Sequence, residues 1–271
     1  MTGAPAAPTE HLVHRLRTAG CVFAEQEAAL LIEAVDTPHD LERLVARRVA
    51  GEPLEHVLGW VEFGRMRLAV TAGVFVPRQR TEAVVDQAEA AIRRRVAGGA
   101  SSPLVVDLCC GCAAIGTVLA HRLNQVGITA AVHAADLDPV AVACAATNLA
   151  PFSGHVYTGD LYDPLPDSLR GTVDVIVANV PYVPTSAVAL MPPEARDHEP
   201  HVALDGGVDG LAVARRLLAG APDWLSPGGV VLFECDERQA EAAADAVRAA
   251  GLKAAVDTDL AREVTVVSGT R

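Results

Sequence analysis

The feature that most constrains this chain is a regular alternation of strand-like and helical segments that begins at residue 104. Short apolar runs, typical of buried strands, alternate there with segments whose apolar residues recur at helical spacing. Strands are predicted at residues 104–108, 130–135, 155–157, 173–178 and 229–234, and helices at about 114–123, 139–149, 211–219 and 237–250. Because strands that alternate with helices form a parallel sheet covered on both faces, an α/β fold is predicted. Two final strands, near residues 253–256 and 263–267, are expected to pair antiparallel.

The first hundred residues follow a different pattern. Apolar residues recur at helical spacing from about residue 10 to residue 50, which predicts short helices. Residues 56–76 alternate as in a β-hairpin with Gly64 near its turn, and a long helix is predicted from residue 80 to residue 96. We therefore expect three parts: a helical segment at 1–52, a hairpin linker at 53–80 and an α/β domain at 81–271.

Charge and hydropathy limit the partners of the chain. The formal net charge is −12, which repels a long nucleic acid unless a local basic patch intervenes, so direct nucleic-acid binding is not expected. No apolar run reaches the roughly 20 residues that a membrane span requires. The first residues, Met1 to Pro5, lack the basic and apolar regions of a signal peptide, so the expected location is the cytoplasm.

Three of the six cysteines crowd into Cys109-Cys110-Gly111-Cys112. A structural zinc site normally has about two to four residues between paired cysteines and a second pair elsewhere. The sequence has no such second pair, and its histidines are scattered. No metal site is therefore predicted.

Acidic residues stand at or just beyond the carboxyl ends of three predicted strands, where ligands bind in parallel sheets. Asp107 opens the turn DLCCGCAAIG, whose small residues let a ligand approach the backbone and a helix N-terminus. Asp136 ends the next strand, where a carboxylate can accept hydrogen bonds from both ribose hydroxyls. Asp160 follows the third strand, placed to contact an adenine edge. Each motif alone is compatible with a structural turn, but together they predict an adenosine-binding sheet.

The fourth strand runs directly into Asn179-Val180-Pro181-Tyr182. Such a segment can hold a planar nitrogen for methylation, because the Asn179 side-chain oxygen can accept one N–H and the Val180 carbonyl the other. Pro181 has a fixed φ and forces Val180 into an extended geometry, while Tyr182 offers a flat face for the planar group. An ordinary strand-ending turn is the alternative, and the preceding adenosine signature favours the methylation site.

These motifs resemble the series found in class I methyltransferases, which ends in the (Asn/Asp/Ser)-Pro-Pro-(Tyr/Phe) motif of amino-methylating enzymes. Three flanking segments are similar to the HemK-type protein-glutamine N5-methyltransferases, which modify the Gly-Gly-Gln glutamine of peptide chain release factors. These segments are 51–59 (GEPLEHVLG), 76–82 (VPRQRTE) and 199–211 (EPHVALDGGVDGL).

The resemblance implies a Rossmann-like, mostly parallel seven-stranded sheet preceded by a small N-terminal helical domain that engages the protein substrate. It implies S-adenosylmethionine as methyl donor, S-adenosylhomocysteine as product, and a release factor as partner. The residues that would hold the glutamine amide are Asn179, Val180, Pro181 and Tyr182. Those that would contact the cofactor are Asp107, Cys109, Gly111, Ala113, Asp136, Leu137, Asp160, Leu161 and Asn179. Those that would frame the cofactor pocket or the domain junction are Pro77, Arg78, Thr81 and Glu82.

The chain departs from the family pattern at three places. Cys109 and Ala113 stand where glycine is common, and their side chains are expected to crowd the methionine part of the cofactor. Val180 replaces the first proline of Asn-Pro-Pro-Tyr, a change that should preserve the chemistry because the carbonyl of this residue does the work. The N-terminal segment matches the family poorly.

Three other functions remain open from the sequence. The first is N-methylation of a small-molecule amine or amide, the second is N6-methylation of adenine in a nucleic acid, and the third is cofactor binding without catalysis. For His198, Glu199 and Glu234 a structural or loop-ordering role is expected rather than base catalysis, because the amide proton can leave to water after methyl transfer.

Overall fold

The computed structural model describes residues 7–271, so the segment inspected for a signal peptide and the start of the predicted helical segment lie outside the described residues. The helices are α1 Ala7–Thr18, α2 Ala24–Glu33, α3 Pro38–Val49, α4 Leu54–Leu58, α5 Glu82–Ala97, α6 Ala114–Gln125, α7 Pro139–Leu149, α8 Thr185–Val188, α9 Pro193–His198, α10 His201–Leu204, α11 Ala212–Trp224 and α12 Ala240–Ala249. The strands are β1 Trp60–Phe63, β2 Met66–Ala69, β3 Leu104–Leu108, β4 Ala131–Asp136, β5 His155–Thr158, β6 Val173–Ala178, β7 Leu225–Cys235, β8 Lys253–Asp259 and β9 Val264–Thr270.

Seven of the strands form one sheet in the order β5-β4-β3-β6-β7-β9-β8. The first five run parallel, and β9 pairs antiparallel with both β7 and β8. The mixed, mostly parallel α/β sheet predicted from the alternation is therefore confirmed. Its order reverses between β3 and β6, so a crevice opens at the carboxyl ends of these strands.

Apolar side chains cover both faces of this sheet. One face buries its Val105, Val132 and Val175 against α5, α6 and α7, and the other buries Ile176 and Phe233 against α11 and α12. Within the described range, no helix is both long enough and apolar enough to cross a bilayer.

Helices α1 to α4 enclose a smaller core of their own, which includes Leu16, Leu31, Val45 and Val57. Helix α3 begins where the sequence provides a cap: the Thr37 hydroxyl accepts the Asp40 N–H at 3.1 Å, and proline occupies the first helical position. Most of the apolar stripe that predicted these helices is buried in this core, but Ile32 and Val49 are 40% and 39% exposed.

The hairpin is shorter than predicted. Residues 54–58 form α4 instead of a strand. Gly59 ends this helical turn in the left-handed region, with φ at 81°. Strands β1 and β2 are joined by Gly64 and Arg65, both at positive φ, the geometry of a type I′ turn. Pairing stops at Ala69, whose N–H and carbonyl both bond to the Asn148 side chain of α7.

Candidate active site

A cavity opens at the carboxyl ends of β3, β4, β5 and β6. Asp107, Asp136, Asp160 and Asn179, each at or just beyond the end of a different strand, all line it. The cavity volume is about 240 Å³, just below the roughly 300–1,000 Å³ that ligand pockets commonly measure. The cavity is therefore comparable in size to a small-molecule binding site.

The turn after β3 is held in an unusual backbone conformation. Cys109, Gly111 and Ala113 all have positive φ, at 51°, 56° and 58°. The Gly111 N–H donates to Asp136 Oδ2 at 2.8 Å, while Asp136 Oδ1 accepts from the Asp138 N–H at 2.9 Å. Since each carboxylate oxygen can accept a further hydrogen bond, Asp136 both fixes this turn and stays available to hydroxyl groups of a ligand.

The two residues that replace glycine in this turn have different environments. Cys109 lines the cavity, whereas Ala113 is fully buried and packs in the core beneath the turn. Of the predicted cofactor contacts, Ala113 alone does not line the cavity, because its methyl group points into the core formed with α6 and α7. Crowding at the cavity is thus confined to Cys109.

The cysteines of the turn have buried thiol groups. Burial raises the pKa of Cys109, Cys110 and Cys112, which disfavours an ionised thiolate nucleophile at neutral pH. Among residues 7–271, no three histidine, cysteine, aspartate or glutamate side chains are grouped to hold a metal ion.

Asp107 carries a buried oxygen without a partner. Its side chain is 1% exposed, and Oδ2 accepts the Gly116 N–H at 2.9 Å, but Oδ1 has no hydrogen-bond donor. Burial raises the pKa of Asp107 to about 8, and the nearby Asp136 adds to this. Because an orphaned acidic oxygen is costly, the site fits a ligand that brings a cation or a hydrogen-bond donor.

The predicted adenine region contains a residue that the sequence did not reveal. Leu137 and Leu161 line the cavity beside the acidic residues, and Asp160 Oδ2 lies 2.5 Å from Nη2 of Arg216 on α11. Arg216 also lines the cavity. A helical arginine more than fifty residues from Asp160 gives no signal in the sequence, so only the packing of α11 places it here.

The backbone of Asn179-Val180-Pro181-Tyr182 is enclosed by the segment 204–210. The Val183 N–H bonds to the Leu204 carbonyl, and the Gly206 N–H to the Val183 carbonyl. A Cβ atom at Gly206 would lie 2.6 Å from the Pro181 oxygen, and one at Gly210 would lie 2.2 Å from the Tyr182 oxygen. Gly206 and Gly210 of the flanking sequence DGGVDG are therefore required by close backbone approach.

Tyr182 is anchored through its hydroxyl. Arg80 Nη2 donates to this oxygen at 2.5 Å, and the hydroxyl donates to Glu234 Oε1 at 3.0 Å. Glu234, at the end of β7, also accepts from Arg80 Nε at 2.9 Å and from the Thr81 hydroxyl at 2.7 Å. Sequence reasoning missed Arg80, although it lies inside the family-like segment VPRQRTE.

Residues expected to frame the site divide into two groups. Pro77, Arg78 and Thr81 line the cavity, whereas Glu82 lies behind it and accepts the Gly64 N–H at 3.2 Å. Glu199 is buried and binds the Arg78 guanidinium with both oxygens, at 2.7 and 2.8 Å. These bonds connect Glu199 to the segment that enters the site, and a loop-ordering role for Glu199 stays a prediction.

Comparison with known proteins places this geometry in context. Residues 66–191 match the family model of the methyltransferase small domain. The chain is 41% identical over 196 residues to the release factor glutamine methyltransferase of Streptomyces coelicolor, covering 72% of this chain and 67% of that protein. It is 39% identical over 216 residues to the enzyme of the same name from Deinococcus radiodurans, covering 80% and 73%. The chain thus spans about two thirds of the length of such relatives.

Solved structures share the fold. The hMettl16 catalytic domain, solved in complex with the MAT2A 3′UTR hairpin 6, has a TM-score of 0.57 at 13% identity, covering 83% of this chain and 81% of that one. A putative class I S-adenosylmethionine-dependent methyltransferase from Listeria monocytogenes has a TM-score of 0.50 at 13% identity, covering 97% and 78%. These similarities establish a class I methyltransferase fold.

Proposed function

Because this chain belongs to the release factor glutamine methyltransferase family, we propose that it methylates the side-chain amide nitrogen, N5, of a glutamine in a protein, with a peptide chain release factor as the acceptor. S-adenosylmethionine is the methyl donor of this family. When bound, it supplies a methyl group on a positively charged sulfur, open to in-line displacement by a nitrogen.

The observation that carries the proposal is the position of Asn179-Val180-Pro181-Tyr182 on the cavity that Asp107 and Asp136 also line. An amide nitrogen is a poor nucleophile, so its N–H groups must be fixed for the lone pair to face the methyl carbon. In our proposal the Asn179 side-chain oxygen and the Val180 carbonyl accept these N–H groups.

The cofactor would occupy the acidic part of the cavity. The unpartnered Asp107 Oδ1 suits the positively charged methionine end, and Asp136 suits the ribose hydroxyls. Leu137 and Leu161 supply apolar surface for the adenine, with Asp160 at its edge. No side chain needs to act as a base, since the amide proton leaves to water once the nitrogen carries the methyl group.

The N-terminal helices are proposed to engage the protein substrate, with residues 1–52 as a separate helical domain, 53–80 as a linker and 81–271 as the catalytic domain. Their own apolar core supports this division. Contacts also connect the first part to the segment beside the site: buried Arg48 lies 3.4 Å from Glu194 of α9, and His56 Nε2 lies 2.8 Å from the Val74 carbonyl.

The surface favours a protein acceptor over nucleic acid. Six arginines that are clustered along the sequence are engaged by carboxylates within the chain: Arg47 by Glu52, Arg48 by Glu27, Arg78 by Glu199, Arg80 by Glu234, Arg93 by Glu89 and Arg95 by Asp174. Paired guanidinium groups contribute little to phosphate binding, which depends on cations that can neutralise the nucleic-acid backbone.

Transfer of a labelled methyl group to a purified release factor tests the proposal. We expect labelling of the wild-type release factor and none of a Gln→Ala release factor. In the enzyme, Asn179→Ala should sharply reduce kcat with little change in cofactor affinity, Asp136→Ala should weaken cofactor binding, and the exposed Asn124→Ala serves as a matched control. Absence of labelling by an enzyme that binds the cofactor would reject this acceptor. Equal loss of cofactor binding in Asn179→Ala and Asp136→Ala would reject the division of roles.

A further inference from the structure

A buried carboxylate joins three separate segments behind the proposed acceptor site. Glu234 is 2% exposed at the end of β7 and accepts hydrogen bonds from Arg80, Thr81 and Tyr182. Arg80 is the last residue of the linker, Thr81 is the first residue of the α/β domain, and Tyr182 comes from the segment after β6. The carboxylate is therefore the common anchor of strand, linker and acceptor motif.

Tyr182 is restrained at both ends by this arrangement. Its hydroxyl oxygen accepts from Arg80 Nη2 and its hydroxyl proton goes to Glu234 Oε1, so the phenol makes one hydrogen bond in each role. Its backbone carbonyl accepts from Gln239 Nε2 at 2.9 Å. With the main chain and the far end of the ring both fixed, a sideways displacement of the ring requires two hydrogen bonds to break.

We propose that Arg80 and Glu234 are positioning residues that hold the Tyr182 ring in the place where its face receives the planar methyl acceptor. This inference rests on the proposed function, because it concerns the residue that faces the acceptor amide. Near-attack geometry is sensitive to small displacements, so a ring free to shift would lower the rate of transfer more than the affinity for cofactor.

The chemistry of the three groups suits this task. Arg80 reaches Glu234 with Nε and Tyr182 with Nη2, and only the forked guanidinium can donate in two fixed directions; the point charge of lysine cannot replace it. Burial raises the pKa of Tyr182 to about 12, so the phenol keeps the proton that it donates to Glu234 throughout the physiological range.

Three variants separate this role from simple structural support. Tyr182→Phe keeps the ring and removes the hydroxyl that bonds to Arg80 and Glu234. Arg80→Lys keeps the charge and removes the guanidinium, which donates in two fixed directions. Glu234→Gln keeps an acceptor oxygen and removes the negative charge. Tyr157→Phe is the matched control, because the Tyr157 hydroxyl also makes a hydrogen bond, 2.9 Å from His133 Nδ1, but lies outside the cavity lining.

We expect Tyr182→Phe and Arg80→Lys to lower kcat by roughly tenfold or more, with cofactor Kd within about twofold of wild type, and Tyr157→Phe to match wild type. Full activity of Tyr182→Phe on the release factor would overturn the inference. So would a loss of cofactor affinity as large as the loss of kcat.

Fluorine NMR of protein labelled with 3-fluorotyrosine gives a readout that does not depend on activity. The chain has three tyrosines, so the Tyr182 signal is assigned as the one missing from Tyr182→Phe. Arg80→Lys and Glu234→Gln should shift this signal and leave the Tyr157 signal in place. An unchanged Tyr182 signal would refute the network. If the wild-type protein does not methylate release factor, the proposed acceptor is wrong, and these spectra alone then decide whether Arg80 and Glu234 hold the ring.

Discussion

Replacing Gly206 with alanine perturbs the acceptor segment from a position that does not itself line the cavity. The φ of Gly206 is outside the left-handed region, so alanine meets no backbone penalty there. Its Cβ atom, however, would lie 2.6 Å from the Pro181 oxygen and 2.5 Å from the Gly210 oxygen, where ordinary contacts begin at 3.4 Å. The Pro181 carbonyl must therefore retreat by about 0.8 Å. Since a displacement of about 1 Å can lower a rate roughly 100-fold, we expect kcat to fall about 30- to 100-fold, or about 2 to 3 kcal/mol in activation free energy.

For Gly206→Ala, methyl transfer to release factor measures kcat, and calorimetry with S-adenosylmethionine measures cofactor affinity. Cofactor affinity should stay close to wild type, because Gly206 does not line the cavity. Gly98→Ala is the matched control: its φ is −81°, and its added Cβ would lie no closer than 3.4 Å to the nearest atom, the Arg95 oxygen. Wild-type kcat in a folded Gly206→Ala protein would refute the view that segment 204–210 sets the position of the acceptor motif.

Three further predictions concern other parts of the chain. Cys109→Gly should bind S-adenosylmethionine more tightly in calorimetry, whereas Ala113→Gly should not, because both residues have positive φ but only Cys109 lines the cavity. Arg48→Ala should lower the free energy of unfolding in urea by about 3 kcal/mol or more, because it leaves Glu27 buried without its partner. Burial raises the pKa of Asp107 to about 8, so the folded protein keeps a proton that the unfolded chain releases above about pH 4. Stability should therefore fall as the pH rises from about 4 to 8, and Asp107→Asn should flatten that part of the curve.

The strands and the placement of the acidic residues were predictable because they follow from local patterns. Each buried strand is a short apolar run, and parallel strands bring their carboxyl ends to one edge of the sheet. Asp107, Asp136, Asp160 and Asn179 could thus be brought together before any distance was known. The division between core and cavity was not predictable, as Cys109 and Ala113 illustrate: both have positive φ in one turn, yet their side chains leave it in different directions.

Contacts made by long side chains could not be predicted, because they depend on how helices pack. Arg216 reaches Asp160 only because α11 packs against β7 and the same face of the sheet. Arg80 reaches Glu234 and Tyr182 across 154 and 102 residues of sequence. No periodicity or motif predicts a contact between residues so far apart in the sequence. The same reason explains the contact of the hairpin with α7, where the Asn148 side chain bonds to the N–H and the carbonyl of Ala69.

Val180 shows how packing can replace a residue that a motif normally uses for rigidity. A proline at this position would fix its own φ, whereas valine leaves φ free in an isolated peptide. In the folded chain the Val180 side chain is 1% exposed and packs in the core beside Ala178, so its rotation is blocked by neighbours. Pro181 restricts Val180 to extended geometry from the other side, and the glycines of segment 204–210 enclose the backbone that follows. The carbonyl at position 180 is therefore held by tertiary contacts, and these contacts, more than the missing proline, determine whether it can receive an amide N–H.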